Sequence, residues 1–261
     1  MKITSIKNYF NTLFMFLLLA NAFGQDMEEN VNLLLVREDK VSPAMADEYE
    51  MSLADLKNYL TENQVEGFNY FTHIQDNFEF THVIPLKNLD GLSEGTREAL
   101  IKRVNKPELS LIMDYFDLAL DSYRHYVVQY KAELSYVPST LQWDEGNTYR
   151  KWHYYHFYPG SEEEVEEILA AYKHLYKTKN VDMGFRVFAG QIGLERPMYI
   201  LTTWAKSPLD YHQNLEKTSE MLGDSGTLLW TKLMELVKEA KITEGWYLPQ
   251  YSYAPNMKMA E

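Results

Sequence analysis

The sequence predicts an α+β fold: two β-α-β-β-α-β units in one chain, packed sheet to sheet as an intrachain barrel. Three observations predict it. The chain resembles itself at a constant offset of 117 positions. Each copy runs through apolar strand-like segments and amphipathic helical segments in the same order. A sheet with helices on one face leaves its other face bare, and a second such sheet in the same chain can cover it.

The offset is plainest in YLTENQVEGFNYF, residues 59–71, and YKTKNVDMGFRVF, residues 176–188. It aligns Glu50 with Glu167, Ala54 with Ala171, Tyr59 with Tyr176 and Thr61 with Thr178. Asn63, Gly67, Phe68 and Phe71 meet Asn180, Gly184, Phe185 and Phe188. That is eight identities in 22 positions, where composition gives on the order of one or two. Tyr130, Ser135, Tyr136 and Pro138 meet Tyr247, Ser252, Tyr253 and Pro255 at the same offset. A shared offset at both ends marks a duplicated unit rather than a short motif, with Gly67 and Gly184 at matching helix-to-strand turns.

The elements follow in order. VNLLLV, 31–36, is a continuous apolar run, as in a strand buried on both faces. Ser42 and Pro43 provide an N-cap and a first-turn proline. Met45, Tyr49, Leu53, Leu56 and Leu60 recur at helical spacing. GFNYFTHI and FEFTHVI form a hairpin around Asp76-Asn77. A helical region covers about 94–125, broken near Pro107, and VVQYKAELSYV, 127–137, closes the unit. After a linker at 138–147, YRKWHYYHFY opens the second unit as a strand. SEEEVEEILAAYKHLY carries a capping box at Ser161 and Glu164 and an apolar stripe. GFRVFAG and MYILTTWA are strands, a helix restarts at Ser207-Pro208 with an interruption at 223–226, and GWYLPQYSY is the last strand. Residues 25–137 and 148–261 thus each read as a ferredoxin-like unit.

Residues 1–24 stand apart. Lys2 and Lys7 precede TLFMFLLLA, and ANAFG follows. A basic start, an apolar run too short to span a bilayer and small residues at the exit predict a signal peptide. The protein is then exported, periplasmic or extracellular, with no membrane span once mature. Loss of the leader takes the formal charge from −13 to −15. Such an acidic chain repels phosphate backbones and anionic lipid, so nucleic acid is excluded as a partner. With no cysteine, stability rests on packing, to which aromatic residues at 14% contribute large buried areas.

The duplicated element order resembles the dimeric α/β-barrel superfamily, which includes antibiotic-biosynthesis-monooxygenase-like and NIPSNAP-like proteins, here with two protomers fused. The resemblance spans nearly the whole mature chain, rests on element order and carries over no catalytic residue. It implies a monomer acting as a pseudo-dimer, or a homodimer of such chains. It also implies a small-molecule site serving a cofactor-independent oxygenase or isomerase, or a haem. The cofactor stays unassigned. The competing class is a non-enzymatic exported interaction or structural module.

The residues nominate a site by strand alternation. A two-residue turn at Asp76-Asn77 sets Phe71 opposite His82 and His73 opposite Phe80. Phe71, His73 and His82 then share the face toward the other sheet. The 117 offset adds Arg186, Phe188 and Tyr199, and His156 joins from KWHYYHFY. Imidazoles and a guanidinium among aromatic rings suit an apolar or aromatic anionic ligand. The same histidines also fit a purely structural role in packing. His153 and His156 point to opposite faces of a strand and cannot share a metal. HExxH, GxSxG, P-loop and GxGxxG patterns are all missing, so no metal site is nominated.

Overall fold

A computed structural model describes residues 32–93, 97–104, 107–138 and 146–255. The expected leader and most of the expected linker lie outside these residues. Strands β1 (Leu33–Val41), β2 (Phe71–Gln75), β3 (Glu79–Leu86) and β4 (Leu120–Tyr130) alternate with helices α1 (Ala46–Glu62), α2 (Arg97–Val104) and α3 (Pro107–Ala119). Strands β5 (Tyr149–Phe157), β6 (Phe185–Gly190), β7 (Met198–Ala205) and β8 (Val237–Tyr247) follow, with α4 (Glu162–Thr178) and α5 (Pro208–Glu235). The strands close into one barrel in the order β1-β3-β2-β8-β5-β7-β6-β4. Every pair is antiparallel. Each half contributes the ferredoxin-like order fourth-first-third-second, and the α+β class and sheet-to-sheet packing are as the sequence predicts.

Most barrel strands are buried on both faces. Val36, Tyr126, Val128, Trp152, Tyr154, Met198 and Ile200 fill the barrel. On the outer face of the second half, α4 lays Val165, Ile168 and Leu169 against Tyr155, Phe157, Val187 and Tyr199. The first half packs its outer face under α1 and α3, with Tyr49 against Phe80 and Phe116.

Each half ends in a strap across the other. The Tyr136 hydroxyl donates to Val181 O at 2.9 Å and the Tyr253 hydroxyl to Val65 O at 2.8 Å. Ser135 Oγ accepts from Val187 N, and Ser252 Oγ from Thr72 N, each at 2.9 Å. The repeated Ser-Tyr pairs of the sequence are these straps.

Several local expectations change. The strands β4 and β8 begin at Leu120 and Val237, earlier than expected, because α3 and α5 stop sooner. Ser161 does not cap α4; its hydroxyl donates to Tyr158 O at 2.7 Å. Ser207 does cap α5, accepting from Asp210 N, and Gly223, at φ 54, breaks that helix where the sequence predicted an interruption. Gly67 and Gly184 do not match. Gly67 takes φ 68 within its turn. Gly184 instead admits Pro138 and Trp204, which a Cβ would meet at 2.9 Å. The structural counterparts are Gln64 and Asn180, at φ 48 and 50, and the strap acceptors Val65 and Val181. The spacing between equivalent residues therefore varies along the chain, and the identities at 117 lie slightly out of structural register.

Candidate functional site

Between the first half's sheet and its helices lies a cavity of about 80 Å³. Apolar side chains make most of its wall, among them Leu53, Leu56, Leu100, Met113 and Phe116. Its polar groups are Arg37, Asp39, Tyr49, Tyr70 and His82, with Arg97 and Asp117 beside them. Asp117 is half exposed and pairs with Arg97, so these two mark the mouth.

Strand alternation delivers the polar groups. Arg37 and Asp39 point outward from β1, and His82 stands beside Arg37 on β3. Tyr49 comes down from the first turn of α1. Its hydroxyl donates to Asp39 Oδ2 at 2.6 Å, and Arg37 Nε donates to Asp39 Oδ1 at 2.6 Å. His82 Nε2 lies 2.9 Å from the Tyr49 hydroxyl and Nδ1 lies 3.0 Å from Thr72 Oγ1. Thr72 Oγ1 donates to Tyr251 O of the strap at 2.9 Å. The Tyr70 hydroxyl is buried, with no hydrogen-bond partner among the described residues.

Burial sets most of the protonation states. It holds His82 down to about 4, only partly offset by Asp39, so the ring is neutral at neutral pH. Burial and then Asp39 push Tyr49 well above the usual phenol range. Burial pulls Arg37 down, but attraction to Asp39 outweighs it and the guanidinium is strengthened. Tyr49 spends its proton on Asp39 and Thr72 spends its proton on Tyr251 O. The two contacts of His82 then both require a ring N–H, and a neutral imidazole has one. The chain Asp39–Tyr49–His82–Thr72–Tyr251 is one proton short of filling its own hydrogen bonds.

The nominated residues do not gather as the sequence suggested. The hairpin turn has three residues, Asp76, Asn77 and Phe78, because Asn77 Oδ1 accepts from Glu79 N at 3.2 Å and Phe78 takes φ 58. His82 therefore stands opposite Thr72, not Phe71. That single-residue slip sends His82 out to the helices while His73 stays in the barrel. There His73 packs on Trp152 and Tyr247, and burial followed by Arg150 lowers it to about 3. Arg186 also points into the barrel, over the Trp204 ring at 4.4 Å, with burial lowering it to about 10. Phe188 packs there on Tyr130, on the same side as Phe71, and His156 ends the row begun by Trp152 and Tyr154. Tyr199 faces the helices of the second half, where its hydroxyl donates to Glu166 at 2.9 Å. Only His82 reaches the cavity. Asp39, Tyr49 and Arg37 were not among the nominated residues, and Tyr70 stood on the competing face of its strand, with Thr72 and Ile74. The available signal for Arg37 and Asp39 was the run of four charged residues, 37–40, inside an otherwise apolar strand.

A haem does not fit this cavity. An apolar cavity of about 150 Å³ holds one benzene, and a porphyrin is several times larger. His82, the one imidazole lining it, has both ring nitrogens engaged. Among the described residues no group of three or more His, Asp or Glu is placed to hold a metal ion.

No family model and no curated protein matches this sequence. Solved structures do match in fold. An anthrone oxidase-like protein superposes with a TM-score of 0.58 at 14% identity, covering 89% of this chain and 97% of its own. A candidate monooxygenase from Fusobacterium nucleatum subsp. nucleatum gives 0.56 at 15%, covering 84% and 94%. A chlorite dismutase variant from Candidatus Nitrospira defluvii gives 0.51 at 11%, covering 85% and 93%. These likenesses extend over the whole barrel and show that the fold, a closed antiparallel barrel with flanking helices, is shared.

Proposed function

We propose that this chain is an exported small-molecule-binding barrel, formed by fusion of two copies of one protomer. Its ligand is a small, largely apolar molecule carrying one weakly acidic or anionic oxygen. The observation that carries the reading is the Tyr70 hydroxyl, buried without a partner on the cavity wall. A buried hydroxyl without a partner costs stability, and a ligand oxygen would satisfy it. Arg37, paired with Asp39, lines the same cavity, and the apolar wall accepts the edge of a ring or a short chain, the enclosed space being smaller than one benzene needs. The ligand's remaining bulk occupies the mouth at Arg97 and Asp117. The reciprocal straps support fusion, since each half is fastened by the end of the other. The charge pattern of residues 1–24 supports export.

A catalytic reading is favoured by one further observation, the missing proton. A bound ligand anion beside the ring would offset the burial that keeps His82 neutral, and the ring would then accept the proton that the ligand gives up. The fold's occurrence in an anthrone oxidase-like protein and a candidate monooxygenase agrees with chemistry that begins with such a transfer. No step here uses haem.

The test uses 4-nitrophenol, whose anion is coloured. Equilibrium dialysis should show saturable binding, and the bound dye should absorb as its anion below the pH at which the free dye ionises. Filling the cavity with Leu53→Phe should remove binding while the fold persists. Binding that survives in Leu53→Phe, or no saturable binding to the unaltered protein, overturns the reading in favour of the interaction module.

A further inference from the structure

Among the described residues, strand edges stay open at both seams of the barrel. Strand β8 pairs with β5 along its length, but β2 covers only Gly245, Trp246 and Tyr247 on the other side. The covered stretch ends where Asp76 N donates to Glu244 O at 3.3 Å. That bond fixes the phase. Glu244 aims its peptide groups at the β2 side, so by alternation Ile242 and Ala240 do the same, up to a β-bulge at Lys238 that ends the alternation. Residues 238–242 are all exposed. The equivalent stretch of β4, 121–125, is exposed as well, but cover extends one residue further along it. There Val127 N donates to Ile192 O, Gln191 N donates to Val127 O, and Gly193 lies against the His125 carbonyl. The difference is loop length: residues 191–197 join β6 to β7, whereas residues 76–78 alone join β2 to β3.

We propose that the open edge of β8 pairs antiparallel with the same edge of a second copy, about a two-fold axis at Ala240. Charge selects this occupant and this register. Centred on Ala240, the pairing sets Glu239 opposite Lys241 of the second copy, and Lys241 opposite its Glu239. These are the closely spaced, non-hydrogen-bonded positions, where opposite charges help most. Ala240 faces itself at a position that exchanges backbone hydrogen bonds, and Ile242 lies opposite the bulge at Lys238. A shift by one residue would set Lys238 against Lys241 and destroy the match. Ile242, 53% exposed, and Trp246, 38% exposed, continue the edge as an apolar strip on its outer face. An unpaired strand edge is a template for another strand, and a two-fold contact uses one patch on both partners.

Sedimentation of the full chain across the micromolar range should show a monomer–dimer equilibrium. Glu239→Lys and Lys241→Glu should each weaken the dimer by about tenfold or more, since each reverses two cross-strand pairs. An equimolar mixture of the two variants should dimerise again, because each supplies the charge the other lacks. Ala240→Pro removes an N–H that points at the open side and spares the ladder to β5. It should abolish the dimer without a large change in melting. In the unaltered dimer the amides of 240 and 242 should exchange slowly with solvent. A protein that stays monomeric overturns the proposal. So does a dimer indifferent to the charge variants, or slow exchange at these amides in a monomer, which would assign the edge to another part of the same chain.

Discussion

The two halves share a scaffold and differ in what fills it. Strand registers and straps equate Arg37, Asp39 and His82 with His153, Tyr155 and Leu201. They equate Thr72 with Val187 and Tyr70 with Phe185. On the helices, Tyr49 and Leu53 correspond to Val165 and Leu169. The second half thus seals its sheet–helix layer with Val165, Val187, Leu201 and Phe185. The first half puts Tyr49, Thr72, His82 and Tyr70 there and leaves a cavity. Buried polar groups cost free energy unless paired, and the second half shows that the scaffold closes well without them. The polar set is therefore not a requirement of the fold, and this is the strongest reason to look for function in the first half.

The largest expected effect tests the packing side of that contrast. Leu53 and Leu169 are each 1% exposed and occupy equivalent helix positions. Burial to alanine typically costs about 2–5 kcal/mol, according to how the site relaxes. Leu169→Ala should fall in the upper part of that range, because its surroundings are filled. Leu53→Ala should cost about 1 kcal/mol less, because Leu53 already faces a void and has fewer contacts to lose. Urea denaturation of both variants decides it. Equal losses would mean the two layers are packed alike and the cavity is no special feature.

A smaller effect tests the polar side. His82→Leu copies Leu201. Tyr49 keeps Asp39 and Thr72 keeps Tyr251 O, so no buried group is orphaned, and the cost at pH 7 should stay below about 1 kcal/mol. Its acid behaviour should change more. The ring titrates near 4 in the fold and at about 6.5 in the unfolded chain. As pH falls below 6.5 the unfolded chain gains a proton that the fold refuses, so stability is full above that value and is lost down to about 4. His73 and His153, lowered to about 3 and about 4 by burial, act in the same direction. Each accounts for at most about 1.4 kcal/mol per pH unit. His82→Leu should remove roughly a third of the acid loss, read as urea midpoints at pH 7 and pH 4.5. An unchanged acid slope would show that His82 is not held neutral.

The sequence revealed the fold more fully than the site, for physical reasons. Apolar periodicity and the repeat are properties of whole segments, so Leu53, Leu56 and Leu60 and their counterparts survive small errors of register. A face assignment is not so robust. It turned on whether Phe78 belongs to the strand or the turn, and a non-glycine residue at positive φ is not foreseen from residue type. One residue moved His82 from the barrel to the helices. The repeat misled for a similar reason: conserved spacing at Gly67 and Gly184 hid two different demands, a turn and a close approach. Asp39 and Tyr49 were invisible because their partnership joins a strand to the next helix. Nothing local marks the carboxylate as buried.

The smallest expected effect on stability is also the sharpest test of the contrast. Tyr70→Phe converts one wall position into its counterpart, Phe185. The ring contacts with Phe68, His82 and Tyr253 survive the change. The hydroxyl that is lost has no protein partner. If it is merely a buried orphan, removing it should leave stability within about 0.5 kcal/mol or raise it slightly, since water no longer competes for it in the unfolded chain. If it meets a ligand, 4-nitrophenol binding should weaken by about three- to tenfold, the worth of one neutral hydrogen bond. The two readouts separate structure from function at a single atom. Unchanged stability with weakened binding assigns Tyr70 to the site. Unchanged binding removes it, and with it the observation that distinguishes the first half as the one kept open for a ligand.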